Sequence, residues 1–417
     1  MKICIFEDEK FDQLYPLTYL RPIFELKCGA TSLYEKIRRN YEEAEICFFI
    51  RPQLVNSFKK KNPQSSVNNL DDLKNDDLLL LNARLLLKEK ISPADEEIGI
   101  KDNLLAYINV KKETITKISF SDFSEFLKNV LQILAKKEVN LRLISYPWDL
   151  INENGEAIKD DFKALGKKGV EGEMHSQALI YGNQDNIYIA QGAKIHPFVV
   201  LDVKEGPIII EENAEIFPFA RIEGPGVIGK NSMILGGAKI RECTSIGPVC
   251  RVGGEVEESI IHGYSNKYHD GFLGHAYVCE WVNLGAFTTN SDLKNDYSNV
   301  LVHIKDGLVD SKSTKVGSFI GDHTKTSIGT ILNTGTVIGV MCNVVGSGKI
   351  SPKFIPSFCW YINNNFLKYS LKRQLESAKI TMSRRKEELT PEDAELLKYV
   401  HEITQEERLA AVRKSSM

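Results

Sequence analysis

Isoleucine stands at positions 210, 216, 222, 228, 234, 240 and 246, and Val252 continues the grid. With about half of residues apolar in an ordinary protein, eight such hits in a row arise by chance roughly once in 250 trials. Ile189, Ile195 and Leu201 form an earlier fragment, which slips by three residues at "EGP". Phe272, Val278 and Leu284 form another. A last grid holds Ile320, Leu332, Ile338, Val344 and Ile350, with Thr326 in its gap. Six is not a helix period. Because six is even, every sixth side chain of a strand-like chain points the same way. Small and polar residues between them, as in "IGKNSM" and "IGTILN", allow a corner after each short strand. The pattern predicts a parallel β-helix, with coils stacked at the ~4.8 Å strand spacing and aliphatic ladders inside. A β-sandwich is the other all-β option, but it imposes no sixfold spacing.

The flanks read differently. Up to about residue 170, the short apolar runs "KICIF", "EICFFI" and "DLLLLNA" predict buried strands. "TSLYEKIRRNYEE" and "SDFSEFLKNVLQILAKK" predict amphipathic helices, the second capped by Asp122. Such alternation predicts an α/β layer with a parallel sheet. "INENGEAIKDDFKALGKKGVEGE" is polar and reads as a link. Beyond "SPKFIPSFCWYINN", the segments "NNFLKYSLKRQLESAKITMSRRKEE" and "TPEDAELLKYVHEITQEERLAAVRK" predict helices, with Thr390 and Pro391 at a helix start. The basic cluster Arg384, Arg385 and Lys386 reads as a solvated helix face. Contact with a phosphate or a neighbouring subunit is the alternative.

Composition narrows the function. The chain has 417 residues, 53 basic and 56 acidic, for a formal net charge of −3. That balance argues against an electrostatic nucleic-acid binder, although one local Arg or Lys suffices for an acidic small molecule. None of the eight cysteines forms a CxxC pair, so a zinc framework is not expected. No apolar run approaches ~18 residues, and "MKICIFEDEK" lacks a signal-peptide layout. A reduced, cytoplasmic protein with no membrane span is the expectation.

The stretch "HDGFLGHAYVCEWVNLGA" carries a resemblance. It is similar to the bifunctional N-acetylglucosamine-1-phosphate uridyltransferase/glucosamine-1-phosphate acetyltransferase family, and more closely to a divergent bacterial branch of it. His269, Leu273, Gly274, Asn283, Gly285 and Ala286 stand in ungapped register with the family's pattern. The resemblance places the catalytic histidine at His269 rather than His275. Phe272 falls where the family has a sugar-contacting Tyr, and Asn283 would hold the acceptor. Arg241 aligns with a phosphate-binding Arg, upstream of "VGGEVE". Ala286, Asn290, Asp322 and Val340 would touch coenzyme A, the last two through "FIGDHTKT" and "TVIGV". Ser259 replaces an expected substrate-binding Lys, and "TTNSDLKNDY" replaces the family's Asn-Tyr, so the acceptor is less defined than the chemistry.

The implied architecture has three parts. Residues 1–170 would be a Rossmann-like α/β nucleotidyltransferase domain, 180–355 a left-handed parallel β-helix, and 356–417 a helical extension. The resemblance also implies a homotrimer. In the first part, "DQLYPLTYLRPIFELKCGATSLYEKI" resembles the nucleotidyltransferase pattern, with Arg21 at the place of a phosphate-contacting Lys. The Gly-rich loop whose amides would wrap a triphosphate is replaced by "FEDEKF", its closing Arg by Gln13, and a metal-binding Asp by Ala83. Two readings stay open. Either the domain is degenerate and kept for binding or architecture, or it is active with Glu7 or Asp8 taking over Mg2+.

The implied chemistry is N-acetylation of an amino-sugar phosphate or nucleotide-sugar by acetyl-CoA. The amine must lose a proton, and a neutral imidazole, with its ordinary pKa of about 6.5, suits that role. Amides of the Asn283–Ala286 turn would steady the thioester oxyanion, and Arg241 would fork onto a phosphate. Cys279 reads as packing, and His275 as a hydrogen-bonded surface residue. Two competing functions remain: a nucleotidyltransferase whose β-helix only oligomerises it, and a non-catalytic regulatory or assembly protein.

Overall fold

The structure is a computed structural model that describes every residue except 306, 347, 416 and 417. It divides into two compact units. The first comprises Met1–Asp12, Leu20–Leu26 and Thr31–Ser145; the second comprises Gln13–Tyr19, Lys27–Ala30 and Tyr146–Met417. Among the described residues no helix is long and apolar enough to cross a membrane.

The first unit is the expected α/β layer. Its strands are β1 (Lys2–Phe6), β2 (Ile46–Phe49), β3 (Ser66–Val67), β4 (Leu78–Asn82), β5 (Glu97–Lys101), β6 (Leu104–Val110) and β7 (Lys136–Glu138). They lie in the order β3-β2-β1-β4-β6-β5-β7. The first four pair in parallel, whereas β6 runs antiparallel to both neighbours. β1 and β4 are buried along their whole length, as uninterrupted apolar runs require. Helix α1 (Leu33–Asn40) begins in a capping box between Ser32 and Glu35. Helix α2 (Phe123–Ile133) begins at Asp122, whose carboxylate accepts from the Glu125 amide at 2.8 Å.

The second unit is a left-handed parallel β-helix. Three parallel sheets make its faces. On the longest, Ile210 pairs with Ile228, Ile228 with Ile246, and Ile246 with Ile261. The second stacks Ile195, Ile216, Ile234 and Val252. The third stacks Leu201, Ile222, Ile240, Val256 and Leu273. All these side chains sit in one core. Parallel register places like on like, so each aliphatic group is covered above and below by another.

The sixfold rule slips where the coils change length. Leu273 faces the core in place of Phe272, which is only half-buried, and Ile355 in place of the exposed Ile350. After Thr289–Asn290 the chain leaves the coil for an antiparallel hairpin, Leu301–Ile304 with Gly307–Asp310, and rejoins it at Phe319–Ile320. That excursion accounts for the gap between the grids.

Two segments differ from expectation. "INENGEAIKDDFKALG" is not a link but most of helix α3 (Pro147–Leu165), which belongs to the second compact unit. Ile158 and Phe162 pack on Tyr188, Ile209 and Val227, the outward residues of the longest face. The polar residues hid the stripe because their partners are backbone: Asn154 accepts from the Gly29 amide and donates to the Cys243 carbonyl, and Asp161 accepts from the Ala30 amide. At Gly155 a Cβ would lie 2.6 Å from Cys243 Sγ, so the helix approaches the coil where no side chain fits. Second, "NFLK" is a strand, Asn365–Lys368, antiparallel to Cys359–Ile362. The tail helices are α4 (Leu371–Ser383), α5 (Pro391–Ile403) and α6 (Gln405–Ser415), with Thr390 Oγ1 capping α5.

Ile234 is fully buried between Ile216 and Val252. Ile234→Ala is expected to cost about 2–5 kcal/mol through lost contacts and a cavity that the coil cannot collapse around. Urea denaturation followed by circular dichroism checks this. An unchanged midpoint contradicts the ladder packing.

Candidate active-site cleft

The strand pair Asn266–Lys267 lies on the second face, where it continues the column above Arg251 and Val252. Register puts Lys267 at a core position, stacked on Val252. It is 3% exposed. Its ammonium is satisfied by two carbonyls, Gly253 at 3.0 Å and His269 at 2.8 Å. Burial pulls its pKa down to about 8, only partly opposed by Asp270. A buried cation therefore braces the corner that carries His269. His269 itself is exposed, and its ring meets the Tyr268 ring edge-on at 5.1 Å.

One coil further on, Asn283 bridges to Asn266 on one side and Lys325 on the other. Asn266 donates to Asn283 Oδ1 at 3.3 Å and accepts from Arg385 at 3.0 Å. Next to this face, α4 closes a cleft of about 920 Å³. His269, Asn283, Leu284, Gly285 and Ala286 all line it. Four of the six positions that carry the family pattern belong to that group or to its turn. Arg251, Lys325, Arg373, Arg384 and Arg385 line it as well, against Glu376 as the one carboxylate among the described lining residues. The basic cluster in the tail is thus a wall of the cleft, except for Lys386, which does not line it.

The turn supplies fewer free amides than expected. The Asn283, Leu284 and Gly285 amides donate to Thr324 O, Asn266 O and Thr326 Oγ1. Among the described residues nothing accepts from the Ala286 amide.

Other expected residues lie elsewhere. Arg241 is surrounded by Glu223 at 3.2 Å, Glu242 at 3.4 Å, Glu255 at 3.6 Å and Glu257 at 3.9 Å. Four carboxylates satisfy this guanidinium, an environment unlike that of a free phosphate-binding Arg. Phe272 is on the third face, outside the cleft. Asn290, Asp322 and Val340 are buried. Asn290 closes a double hydrogen bond on the Gly274 backbone, and Asp322 accepts from the Glu280 amide. The side chains of Asn290 and Asp322 thus bridge to neighbouring coils. Ser259, where a Lys was expected, is internal too, accepting from the Ala276 amide. Cys279 is buried.

His275 is 5% exposed rather than on the surface. Its Nδ1 lies 2.9 Å from Asp292 and its Nε2 3.3 Å from Glu258. Burial lowers its pKa, but the two carboxylates outweigh that and raise it to about 9. It is a buried imidazolium clamping two coils, not a base.

In the first unit, the acids expected to hold Mg2+ are taken by arginines. Glu7 accepts from the Ile23 and Arg51 amides and pairs with the Arg51 guanidinium through both oxygens, at 3.0 and 3.1 Å. Asp8 pairs with the fully buried Arg84 at 2.8 Å and accepts from Asn82. Among the described residues no three His, Cys, Asp or Glu side chains converge on a possible metal position. This donor set does not fit a divalent cation. Arg21 is buried, and its carbonyl accepts from Arg51.

Sequence reasoning missed Lys267, Arg251, Lys325 and Arg373. The one available signal was a Lys at a core step of the ladder.

His275 gives a pH-dependent test. A raised histidine pKa contributes stability that is whole below the unfolded value, about 6.5, and is lost as pH rises through about 9. Wild type should therefore lose its advantage over His275→Gln across that window in denaturation experiments. A difference that stays constant from pH 6 to 10 contradicts the clamp.

Residues 3–169 match the sugar nucleotidyl transferase family model. A bifunctional sugar-1-phosphate nucleotidylyltransferase/acetyltransferase of Sulfurisphaera tokodaii is 29% identical over 243 residues, 55% of this chain and 53% of the relative. The bifunctional protein GlmU of Methanococcus aeolicus is 29% identical over 198 residues, 47% of this chain and 41% of the relative. The chain thus spans about half the length of the curated relatives it matches. Among solved structures, the UDP-N-acetylglucosamine acyltransferase of Francisella novicida overlays 57% of this chain and 89% of its own, at 18% identity and a TM-score of 0.32. Residues 3–169 thus match the sugar nucleotidyl transferase family model, a β-helix follows them, and the chain is similar to the bifunctional sugar-1-phosphate nucleotidylyltransferase/acetyltransferases.

Proposed function

We propose that the β-helix cleft transfers an acetyl group from acetyl-CoA to the amine of an amino-sugar phosphate or nucleotide-sugar. One observation supports this most: His269, Asn283 and Ala286, widely separated from the tail in sequence, line one cleft with Arg384 and Arg385. The relatives' names point the same way.

His269 takes a proton from the attacking amine. A C–N bond forms at the thioester carbonyl carbon as the oxyanion turns toward the Ala286 amide. The C–S bond then breaks, and His269 returns the proton to the departing thiolate. No acyl-enzyme is needed, and every cysteine but Cys243 is buried. Asn283 orients the acceptor. Lys267 acts through His269, by holding the corner carbonyl, and is a positioning residue. In the same reading the protein is a homotrimer. The first unit is an altered nucleotidyltransferase fold kept for ligand binding or architecture. That reading is supported by Arg51 and Arg84 occupying Glu7 and Asp8, and no phosphoryl step is assigned to it.

Thiol release from acetyl-CoA with glucosamine-1-phosphate, followed colorimetrically, tests the proposal. His269→Ala should lower kcat by about 10²–10⁴-fold with unchanged circular dichroism. Lys267→Met should lower kcat less and shift the pH profile. A His269→Ala protein as fast as wild type removes the assigned base. Absence of thiol release with any amino-sugar phosphate or nucleotide-sugar removes the reaction.

A further inference from the structure

The β-helix finishes differently at its two ends. At the C-terminal end, Asn365–Lys368 folds back antiparallel on Cys359–Ile362, and the Phe366 ring lies 5.1 Å from that of Tyr361. The Phe366 amide donates to Ser415 Oγ at 2.9 Å, so α6 holds this flap. Tyr361, stacked on Val344 in the core, is buried beneath it.

The other end has no such flap among the described residues. Its first coil consists of Gly169–Val170, Glu173–Met174 and Leu179–Tyr181. Each is the outermost strand of its sheet and pairs only with the coil that follows. Register stacks Val170 on Ile189, Met174 on Ile195 and Ile180 on Leu201. Those three partners are buried. By contrast Val170 is 44% exposed, and Met174 and Ile180 are only partly buried. Leu179 and Tyr181 beside them are 53% and 49% exposed. All three aliphatic columns therefore stop at open side chains, with three strand edges free to pair. Solenoids normally close such ends with a polar cap, and open edges recruit other strands.

The string at this end specifies what fits it. "KKGVEGE", residues 167–173, is basic before Val170 and acidic after it. Two such strings laid antiparallel set lysines against glutamates at both ends, whereas parallel strings set like against like. A second copy turned about a two-fold axis across the end of the β-helix arrives antiparallel by symmetry. The same rotation brings the Glu173–Met174 edge to the Leu179–Tyr181 edge of the other copy. Val170 then meets its own counterpart, Met174 meets Ile180, and the two cores become continuous. Lys167 already approaches Glu171 within the chain, at 4.0 Å. The exposed side chains of Lys168 and Glu173 make no ion pair with any described residue.

We infer that the open N-terminal end of the β-helix binds a second copy of this chain end to end, by antiparallel pairing of the first-coil strand edges. The inference depends neither on acyl transfer nor on a trimer. Single chains would join as a pair and trimers as a double trimer, so the particle holds an even number of chains in both cases.

Sedimentation equilibrium of the full chain over a range of micromolar concentrations tests this. Wild type should have the mass of an even number of chains. Val170→Asp puts a carboxylate at the centre of the joint, and Glu171→Lys with Glu173→Lys sets lysine against lysine. Each variant should halve the particle mass with unchanged circular dichroism. Adding Lys167→Glu and Lys168→Glu to the second variant reverses the string but keeps its complementarity, and should restore the wild-type mass. An odd number of chains in the wild-type particle overturns the inference. So does an even number that neither variant lowers, because the doubling then lies on another face.

Discussion

Aliphatic side chains stacked in register inside the β-helix are the constraint on which everything else rests. Each coil is too short to form a core alone. It buries its inward residues only because the coil below and the coil above present the same kind of side chain at the same place. Ile216, Ile234 and Val252 form one such column, and a change at any step opens a void that its neighbours cannot fill. The reward is rigidity: the backbone at a corner is held by the ladder two residues away.

That rigidity explains how Lys267 can sit at a core step. The column continues from Val252 to a lysine, and the coil cannot slide to expel it. The ammonium is instead placed among carbonyls, one of them belonging to His269. The same rigidity lets His275 remain a buried imidazolium between Asp292 and Glu258. The interior thus admits a charge only where backbone or carboxylate oxygens meet it. The cleft wall differs in balance, with five cations and, among its described lining residues, Glu376 as the one carboxylate.

Much of the fold was legible in the sequence because period six has few physical explanations. The columns from Ile189 to Val252 are those the spacing anticipates. Where coils shorten, the count misassigns the inward residue, as at Phe272 and Leu273. Helix α3 escaped notice because Asn154 and Asp161 look like surface residues, and their backbone partners, Gly29, Ala30 and Cys243, are distant in sequence. The site was half legible. The run from His269 to Ala286 is local, so its motif survives as a string. The cationic wall joins residues more than a hundred positions apart, and no local pattern reports it. Arg241 shows the converse: a motif position carries a residue type, but the string says nothing of the four carboxylates around it.

The central claim is that the coil corner at His269 and the tail helix α4 enclose one reaction site. A crystal structure of the protein soaked with coenzyme A tests it most directly. The account predicts the coenzyme in the cleft, with its thiol end beside His269. Coenzyme bound on another face, beyond reach of His269, would contradict it.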